Sequence, residues 1–482
     1  MAWKNRLDTF INPISVTVIG ASERPGAWGS LIMESLLVWK YPGKIYPVNH
    51  HAKEVYGIRS FQNVESIDGP TDLAVIAIPE KSLEKTIEAC GKKGFNGITI
   101  ITSGFGEAVE GGKEREEALA CLARSYGMHI LGPNVSGTFN LHARFNASGS
   151  PARHLYPTSI AGICQGGYAV YDLMASASSK KMGVGRFIHT GNECDLQVTD
   201  FLSHFGEDPE IKAIIMYIET IRNGRVFIDV ARKVAKKKPV IVYKGGKTLE
   251  GARAAHSHTC ALSGRREIFA GVFKQAEIIP CPTMELLLPL AHALVERPPM
   301  RGKRVAIITM GGSWGVVLTD CLEEEGLTVP ILSTKLQKRI KTLGMPERAS
   351  TMNPVDIGAA GVMVFSSEIL LKMGREILLS DEVDALILHG LGRPGLIDEN
   401  SPAAWKKNSQ VEKDIMLGYS NLEIETGLPV FLGGCLTPWE SQAVQDLNEE
   451  GIRFINRLDE IASMLSMMHK HYCITSDPKN LF

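Results

Sequence analysis

Short runs of β-branched and other apolar residues alternate along this chain with longer amphipathic segments. In the first third of the chain the apolar runs are ISVTVIG, KIYPVN, LAVIAIP, GITIITS and HILGPN, and helical stretches such as GGKEREEALACLARSYG separate them. Alternation of this kind is typical of β-α-β units, which place their strands in a parallel sheet with helices on its faces. The pattern therefore predicts an α/β fold.

The alternation is interrupted twice, which divides the chain into three regions. Between residues 140 and 156 the periodicity is lost and Gly, Pro, Asn and Ser predominate, and ERPPMRGKR forms a second, proline-bearing connector. A second set of strands includes SIAGIC, RFIHTG, IKAIIMYIE, PVIVYKG and AEIIPC, and a third includes RVAIITM, VDALILHG, PVFLGG and IRFIN. Because 482 residues are too many for one ordinary core, we predict three domains, at residues 1–145, 156–296 and 302–482.

Composition and charge narrow the class of protein. Hydrophobic residues make up 44% and charged residues 22% of the chain, as in soluble globular proteins, and the net charge of -1 predicts neither nucleic acid nor membrane as partner. No signal-like segment precedes the first strand and no run of about 18 apolar residues occurs, so we expect a cytoplasmic protein. The nine cysteines are scattered without a C-x-x-C pair, which predicts neither a disulfide framework nor a metal site.

A glycine-rich turn follows the first strand. In VIGASERPGAWGS the residues Gly20, Gly26 and Gly29 lie between a strand and a helix, where small residues let backbone amides approach a phosphate. The spacing is not the compact G-x-G-x-x-G of NAD enzymes, and a plain tight turn is the alternative. Because Val48 and Asn49 end the second strand at the same side of the predicted sheet, we favour a nucleotide-bearing cofactor.

The second and third regions each begin with a strand, a paired glycine and a helix. The two segments are IAGICQGGYAVYDLM, with Gly166 and Gly167, and VAIITMGGSWGVVLTDCL, with Gly311 and Gly312, 145 positions later (311 minus 166). Each turn places unpaired amides at a helix N-terminus, where the dipole stabilises a phosphate without a lysine. Close packing of the helix against the strand is the alternative explanation for these glycines.

The segment KGGKTLEGARAAHSHTCALSG places His256 and His258 in what we predict to be a mobile loop of small residues after a strand. Imidazole is largely neutral at pH 7, so it can attack phosphorus and then leave again. Such a nucleophile needs an orienting carboxylate, and Glu219 closes the apolar strand IKAIIMYIE. Glu193 and Asp195 in TGNECDL are competing carboxylates, although Asp195 is more typical of a helix N-cap.

Taken in order, these segments resemble the ADP-forming (NDP-forming) acyl-CoA synthetases, relatives of the succinyl-CoA synthetase α subunit. The resemblance covers nearly the whole chain through VTVIGASERPG, IYPVNHHAKEVYG, DLAVIAIP, TSGFGE, LGPNVSGTFN, TGNECDLQVTDFL, MYIETIRNGRVF, KGGKTLEGARAAHSHT, VAIITMGGSWGV and NPVDIG. The run GARAAHSHT is the most specific match. The resemblance implies a Rossmann-like CoA-binding domain followed by two flavodoxin-like (succinyl-CoA synthetase-like) α/β domains.

The resemblance also implies a reaction and its residues. Acyl-CoA and phosphate give an acyl phosphate, a histidine takes the phosphoryl group and releases the carboxylate, and the phosphohistidine then transfers the group to ADP. The family's phosphorylated histidine falls on His258 and its steadying glutamate on Glu219. The CoA contacts fall on Gly20, Ser22, Arg24, Val48, Asn49, Ile78 and Pro79. We expect the phosphate turns to comprise Gln165, Gly166, Gly167, Gly311, Gly312 and Ser313.

The three regions account for all 482 residues, which leaves no segment for the ATP-grasp module that binds nucleotide in this family. The resemblance therefore implies a separate ATP-grasp β subunit, which holds ADP or ATP with Mg²⁺ in an expected α₂β₂ assembly. The other expected ligand is an acyl-CoA or the free carboxylate.

Three departures from the family pattern leave the function open at this point. The turns usually written S-Q-S-G and G-G-P-G are Cys-Gln-Gly-Gly and Gly-Gly-Ser-Trp here, and Cys260 replaces the glycine after S-H-T. Tyr168 and Trp314 add bulk near the expected acyl pocket, so either the substrate is larger or aromatic, or turnover is impaired. The second hypothesis is accordingly a catalytically degenerate CoA-binding or acyl-CoA-binding protein that acts as a sensor or scaffold. An NAD-dependent enzyme is the third hypothesis, which the glycine spacing disfavours.

Overall fold

The structure is a computed structural model that describes residues 7–106, 111–150, 154–178, 180–259, 266–345, 349–358 and 367–476. The side chains at 168–170, 176, 256–259 and 266 fall outside this description. The chain divides into two compact units, Met1–Ala291 and His292–Phe482. Within the described ranges no helix is both long enough and apolar enough to span a lipid bilayer.

The first unit begins with a five-stranded parallel sheet in the order β2-β1-β5-β6-β7. Its strands, with a small β3-β4 hairpin, are β1 (Ser15–Ile19), β2 (Lys44–Val48), β3 (Glu54–Val55), β4 (Ile58–Arg59), β5 (Leu73–Ile76), β6 (Gly97–Ile100) and β7 (His129–Leu131). Its helices are α1 (Trp28–Val38), α2 (Leu83–Lys93) and α3 (Gly112–Ser125), and a 3₁₀ turn (Glu80–Ser82) precedes α2. From β1 the chain continues to β2 on one side of the sheet, and from β5 it continues to β6 on the other side. The connections therefore diverge between β1 and β5, and the carboxyl ends of these two strands form a crevice suited to a ligand.

A second sheet in the same unit has the order β14-β13-β12-β10-β11-β8-β9. Its strands are β8 (Gly137–Asn140), β9 (Phe145–Ser148), β10 (Ile160–Cys164), β11 (Arg186–His189), β12 (Ala213–Ile218), β13 (Val240–Lys244) and β14 (Ile279–Pro280). The helices are α4 (Tyr168–Ser178), α5 (Val198–Glu207), α6 (Gly224–Ala235), α7 (Leu249–Thr259), α8 (Arg266–Gln275) and α9 (Leu287–Glu296). Strands β8 and β9 form an antiparallel hairpin on an otherwise parallel sheet.

One continuous apolar core joins the two sheets of the first unit. Phe10, before β1, meets Phe201 of α5 edge to face, with ring centroids 6.3 Å apart. The β8-β9 hairpin, which precedes the second predicted domain, pairs with β11 rather than with the first sheet. The three domain boundaries stay a prediction.

The second unit is built on a third parallel sheet, in the order β16-β15-β17-β18-β19. Its strands are β15 (Val305–Thr309), β16 (Val355–Asp356), β17 (Ala385–His389), β18 (Val430–Gly433) and β19 (Phe454–Ile455). Its helices are α10 (Gly312–Glu324), α11 (Thr334–Thr342), α12 (Ser367–Leu378), α13 (Ala403–Thr426), α14 (Gln442–Glu449) and α15 (Leu458–Ser476). The predicted α/β class is confirmed by these three largely parallel sheets.

Candidate active site

A cavity of about 440 Å³ opens at the carboxyl ends of β1, β2 and β5. Six of the seven residues predicted to contact CoA line it: Gly20, Ser22, Val48, Asn49, Ile78 and Pro79. The seventh, Arg24, lies on the exposed turn after β1, where its backbone amide donates to Ser22 Oγ at 3.0 Å. The cavity is also lined by basic side chains that the sequence analysis did not assign, namely His50, His51 and Lys85.

The first glycine turn owes its composition to close contacts with its neighbours. Gly20 has a φ of 91°, and a Cβ there would lie 2.4 Å from the carbonyl oxygen of Ala77. Asn49 links the end of β2 to this turn, because its Nδ2 donates to Ala21 O at 2.8 Å while its Oδ1 accepts from His51 N at 2.8 Å. The turn is therefore held in one shape at the mouth of the cavity.

A second cavity, of about 220 Å³, lies at the carboxyl edge of the second sheet. We refer to it as the carboxylate cavity because three glutamates line it. Its lining residues are Gly106, Lys113, Glu116, Gln165, Gly191, Asn192, Glu193, Glu219, Thr220, Ile221 and Arg222. Residues from both sheets of the first unit thus meet around one small polar space.

Glu219, the predicted orienting carboxylate, directly follows β12 and is only 4% exposed. The hydroxyl of Tyr217 donates to Glu219 Oε1 at 3.0 Å. On the neighbouring strand Lys244 pairs in register with Ile218, and burial lowers the pKa of Lys244 to about 8 although the charge of Glu219 opposes this shift. The Lys244 ammonium also lies 4.5 Å from the ring centroid of Phe269. A carboxylate and an ammonium are therefore placed on neighbouring strands at this sheet edge.

The side chain of Gln165 fixes the backbone that carries Glu219. Its Oε1 accepts from the amides of Glu219 at 2.6 Å and Thr220 at 2.9 Å, and its Nε2 donates to Thr220 O at 3.0 Å. Gln165 is 5% exposed, so these bonds are made away from solvent. The side-chain amide of Gln165 therefore positions Glu219, the predicted partner of His258.

The paired glycines of this turn differ in what they require. A Cβ on Gly166 would lie 2.6 Å from the ring of Tyr217, whereas one on Gly167 would make only an ordinary contact of 3.8 Å with His189. The thiol of Cys164 donates to Gly166 O at 2.6 Å, and burial raises the pKa of Cys164 above its ordinary range. Close packing therefore explains Gly166, and Cys164 is a buried thiol rather than a reactive one.

The competing carboxylates of TGNECDL have separate environments. Glu193 is 3% exposed and lines the carboxylate cavity. Asp195 instead lies 3.0 Å from His129 Nδ1 and accepts from the amide of Ile130 at 3.0 Å. The expectation that Asp195 is a helix N-cap is wrong, since α5 begins at Val198 and its N-cap is Gln197, two residues after Asp195.

The segment that carries the predicted phosphohistidine is a helix as far as the structure describes it. Helix α7 covers Leu249–Thr259, where we had expected a loop. The physical reason is that Leu, Glu, Arg and three alanines in this stretch favour helix more strongly than the single Gly251 opposes it. The side chains of His256 and His258, and the whole of Cys260, lie outside the described residues.

The third glycine turn starts helix α10 in the second unit. Gly311 is the N-cap, and a Cβ on Gly312 would lie 2.6 Å from Asp356 Oδ2. Ser313 is exposed in the first turn of the helix, and so is Trp314, whose ring centroid is 5.4 Å from that of His389. The turn is therefore bordered by a carboxylate and by an aromatic pair.

The adjoining NPVDIG segment is tied to the third sheet. Asn353 Oδ1 accepts from the amide of Ile307 at 2.9 Å, and its Nδ2 donates to Val305 O at 3.0 Å. This asparagine attaches the segment to β15, and Asp356 then ends β16 beside the glycine turn. Among the described residues no cluster of His, Cys, Asp and Glu is suited to hold a metal ion.

Comparison with known proteins identifies the same segments. Residues 15–139 match a CoA binding domain family and residues 157–294 match the succinyl-CoA ligase like flavodoxin domain. The chain is 38% identical over 381 residues to the α subunit of ADP-forming acetate-CoA ligase II from Pyrococcus furiosus, covering 79% of this chain and 81% of that one. It is 35% identical over 347 residues to an ADP-forming acetate-CoA ligase from Methanocaldococcus jannaschii, covering 72% of this chain and 48% of the relative.

A solved structure agrees over nearly the full length. The dinucleotide forming acetyl-coenzyme A synthetase 1 of Ca. Korarchaeum cryptofilum, in complex with phosphate and ADP, superposes with a TM-score of 0.84 at 32% identity, covering 98% of this chain and 99% of that one. The CoA-binding domain, the flavodoxin domain of the succinyl-CoA ligase type and these relatives confirm the resemblance seen in the sequence. The chain belongs to the family of ADP-forming acyl-CoA synthetases, and within it to the α subunits.

Proposed function

We propose that this ligase carries phosphoryl groups on His258, with Glu219 as the carboxylate that orients the imidazole. Acyl-CoA and phosphate react to give acyl phosphate and CoA, His258 takes the phosphoryl group and releases the carboxylate, and the phosphohistidine passes the group to ADP. The observation that carries the proposal is the buried position of Glu219, which Gln165 and Tyr217 hold in the carboxylate cavity beside the predicted phosphate turn.

The surroundings of Glu219 suit phosphoryl transfer. This reaction depends on positioning and on neutralising charge around the moving phosphoryl group more than on covalent help from the protein. Lys113 and Arg222 line the cavity together with the glutamates, and α4 begins directly after Gly167. The positive end of a helix dipole and two cations are therefore available to a phosphate at this edge.

The cavity beside Gly20 fits CoA as the acyl carrier. At Gly20 a Cβ would strike the carbonyl oxygen of Ala77, so this turn at the cavity requires glycine. His50, His51 and Lys85 give this space basic side chains for the phosphates of CoA. Glycine turns and basic groups at the carboxyl ends of parallel strands are the features that nucleotide-bearing ligands use.

The nucleotide is part of the proposal through a second chain. We expect ADP or ATP, with Mg²⁺, on an ATP-grasp β subunit in an α₂β₂ assembly in the cytoplasm. The name of the Pyrococcus furiosus relative as an α subunit supports a partner, and the chain spans about half the length of the Methanocaldococcus jannaschii relative. The Korarchaeum structure contains phosphate and ADP, the ligands that this scheme requires.

Labelling with radioactive phosphate tests the proposal. The chain with its β subunit and labelled ATP, or with acetyl-CoA and labelled phosphate, should acquire an acid-labile, base-stable phosphoryl group. His258→Ala should abolish the label, and His256→Ala is the matched control that should retain it. Label that persists unchanged in His258→Ala would contradict the proposal. The relatives give no support to the alternative of a non-catalytic CoA sensor.

A further inference from the structure

Glu193 is a second buried carboxylate in the cavity of Glu219. It lies between β11 and α5 with a φ of 58°, in the left-handed region that a residue with a Cβ seldom adopts. Its side chain is 3% exposed and lines the carboxylate cavity. Strained backbone that presents a buried ionisable group to a polar cavity is a combination found at functional sites.

One oxygen of Glu193 is held by two hydrogen bonds, and Gln165 connects the Glu193 side chain to the backbone of Glu219. Glu193 Oε1 accepts from Thr190 Oγ1 at 2.8 Å and from the amide of Val198 at 3.1 Å. The Gln165 side chain also hydrogen-bonds Glu193, and the same side chain accepts from the amide of Glu219. Gln165 thus connects the side chain of Glu193 to the backbone of Glu219, and both glutamates line one cavity.

The environment of Glu193 favours exchange of a proton. Burial raises the pKa of Glu193, while hydrogen bonds from Gln165, Thr190 and Val198 and the charge of Arg222 act in the opposite direction. The other charged groups that line the cavity are Lys113, Glu116 and Glu219. A general acid or base works best when its pKa is brought toward the working pH.

The thioester half of the proposed reaction needs such a group. A phosphate oxygen attacks the thioester carbonyl, the C–S bond breaks, and sulfur leaves with the electron pair. Hydrogen phosphate loses its proton as the acyl phosphate forms, and the CoA sulfur gains one. In the reverse direction the thiol must lose its proton to become the nucleophilic thiolate. The proton balance therefore closes when one residue passes the proton between phosphate and sulfur.

We propose that Glu193 is this acid-base residue, giving its proton to the departing CoA sulfur and recovering one from the attacking phosphate. This inference rests on the proposed function, because it places the thioester step in the carboxylate cavity. The two carboxylates then have different roles. Glu219 orients the histidine during phosphoryl transfer, and Glu193 exchanges a proton with the CoA sulfur during acyl transfer. Different surroundings commonly give two neighbouring carboxylates different tasks.

The two half-reactions are measured separately on the full chain with its β subunit. Glu193→Gln should slow conversion of acetyl phosphate and CoA into acetyl-CoA and phosphate by about 100-fold or more near pH 7. Phosphorylation of His258 by acetyl phosphate without CoA should stay within about twofold of wild type, because that step moves no thiol proton. The deficit in thioester formation should shrink as the pH rises past about 8.5, where the thiol ionises unaided.

The matched control is Asp200→Asn. Asp200 is a nearby carboxylate whose pKa burial also raises, but it accepts from the amide of Gln197 and does not line the cavity. It should leave both half-reactions unchanged. A Glu193→Gln variant that forms acetyl-CoA at the wild-type rate, or with a deficit that does not change with pH, overturns the inference while phosphohistidine still forms. Absence of phosphohistidine in the wild-type chain would instead overturn the proposed function.

Discussion

Two glycine turns of this chain share the same strand-turn-helix arrangement but have different neighbouring side chains. Both follow a parallel strand and lead into a helix: Cys164 to Gly167 precede α4, and Gly311 to Ser313 form the N-terminus of α10. The first lies among buried ionisable groups, with Glu219 4% and Glu193 3% exposed. The second is bordered by Asp356 and by Trp314, which lies against the buried His389.

The comparison concerns the side chains beside each turn, because the backbone arrangement of the two turns is the same. In both places the paired glycine offers helix amides to an anion. At the first turn the side chain of Gln165 also accepts from the backbone amide of Glu219. At the second turn Asp356 uses its Oδ1 to accept from the amide of Gly358 at 2.9 Å. The phosphate-binding role of both turns stays a prediction, and the surrounding side chains are what distinguish the two.

The largest expected effect comes from removing the charge of Glu219. Glu219→Gln should lower kcat by about 1,000-fold, because the imidazole loses the carboxylate that orients it and stabilises its charge. Phosphohistidine formation, followed by rapid quenching, should fall in parallel. The measurement separates this loss from weaker CoA binding, since KM for acetyl-CoA should change little.

Asp356→Asn is the corresponding change at the second turn. It keeps an oxygen that can accept from Gly358, so the loop after β16 retains its hydrogen bond. We expect a loss of less than about tenfold in kcat, the size of one modest interaction. A loss as large as that of Glu219→Gln would break the comparison and make the second turn an equal part of the active site.

Alanine at the two glycines gives the next largest effect. Gly166→Ala should cost about 1–3 kcal/mol of unfolding free energy, because its Cβ would press on the ring of Tyr217 and overpacking costs that much. Gly312→Ala meets only the tip of the Asp356 side chain, which can rotate away, so we expect a smaller cost. Urea unfolding followed by circular dichroism measures both.

A double variant sharpens this result. Gly312→Ala combined with Asp356→Ala should regain the stability that the carboxylate contact costs, and Gly166→Ala combined with Tyr217→Phe should not, since the ring remains. If both alanine variants lose the same unfolding free energy, and neither double variant regains it, then backbone conformation rather than side-chain contact determines the loss.

Local sequence patterns predicted most of the sheets and the first turn. The alternation of apolar runs predicted the central strands of all three sheets but missed the β8-β9 hairpin and β16, which are short and lie in segments rich in Gly, Asn, Ser and Pro. The turn at Gly20 was found from its glycines alone. Helix α7 was missed because the glycine and histidine content of its segment suggested a loop, while its helix-forming residues were given too little weight. The prediction of a nucleophile at His258 still stands on sequence alone.

The long-range contacts that form the candidate site could not be predicted from the sequence. Gln165 and Glu219 are 54 positions apart, and only folding brings the amide side chain of one to the backbone of the other. Glu193 and Asp195 are two positions apart in one turn, yet one lines the carboxylate cavity and the other binds His129. Residue type and spacing identify candidates, whereas burial and long-range hydrogen bonds separate their roles.

The smallest effect we predict concerns His389, at the end of β17. The residue is 1% exposed and, in the part of the chain that the structure describes, neither ring nitrogen has a hydrogen-bond partner. Burial lowers the pKa of His389 to about 4. Replacing this unsatisfied polar ring by an apolar side chain, His389→Leu, should therefore stabilise the chain by about 1 kcal/mol at pH 7.

The pH dependence of unfolding isolates this residue. Between about pH 6.5, the ordinary value, and pH 4 the unfolded chain binds a proton at His389 that the folded chain does not, so stability falls as the pH falls through this range. His389→Leu should lose less stability on acidification than the parent chain does. If His389→Leu instead lowers kcat strongly while the chain stays folded, the buried imidazole serves the second turn and the two turns are more alike in chemistry than their surroundings suggest.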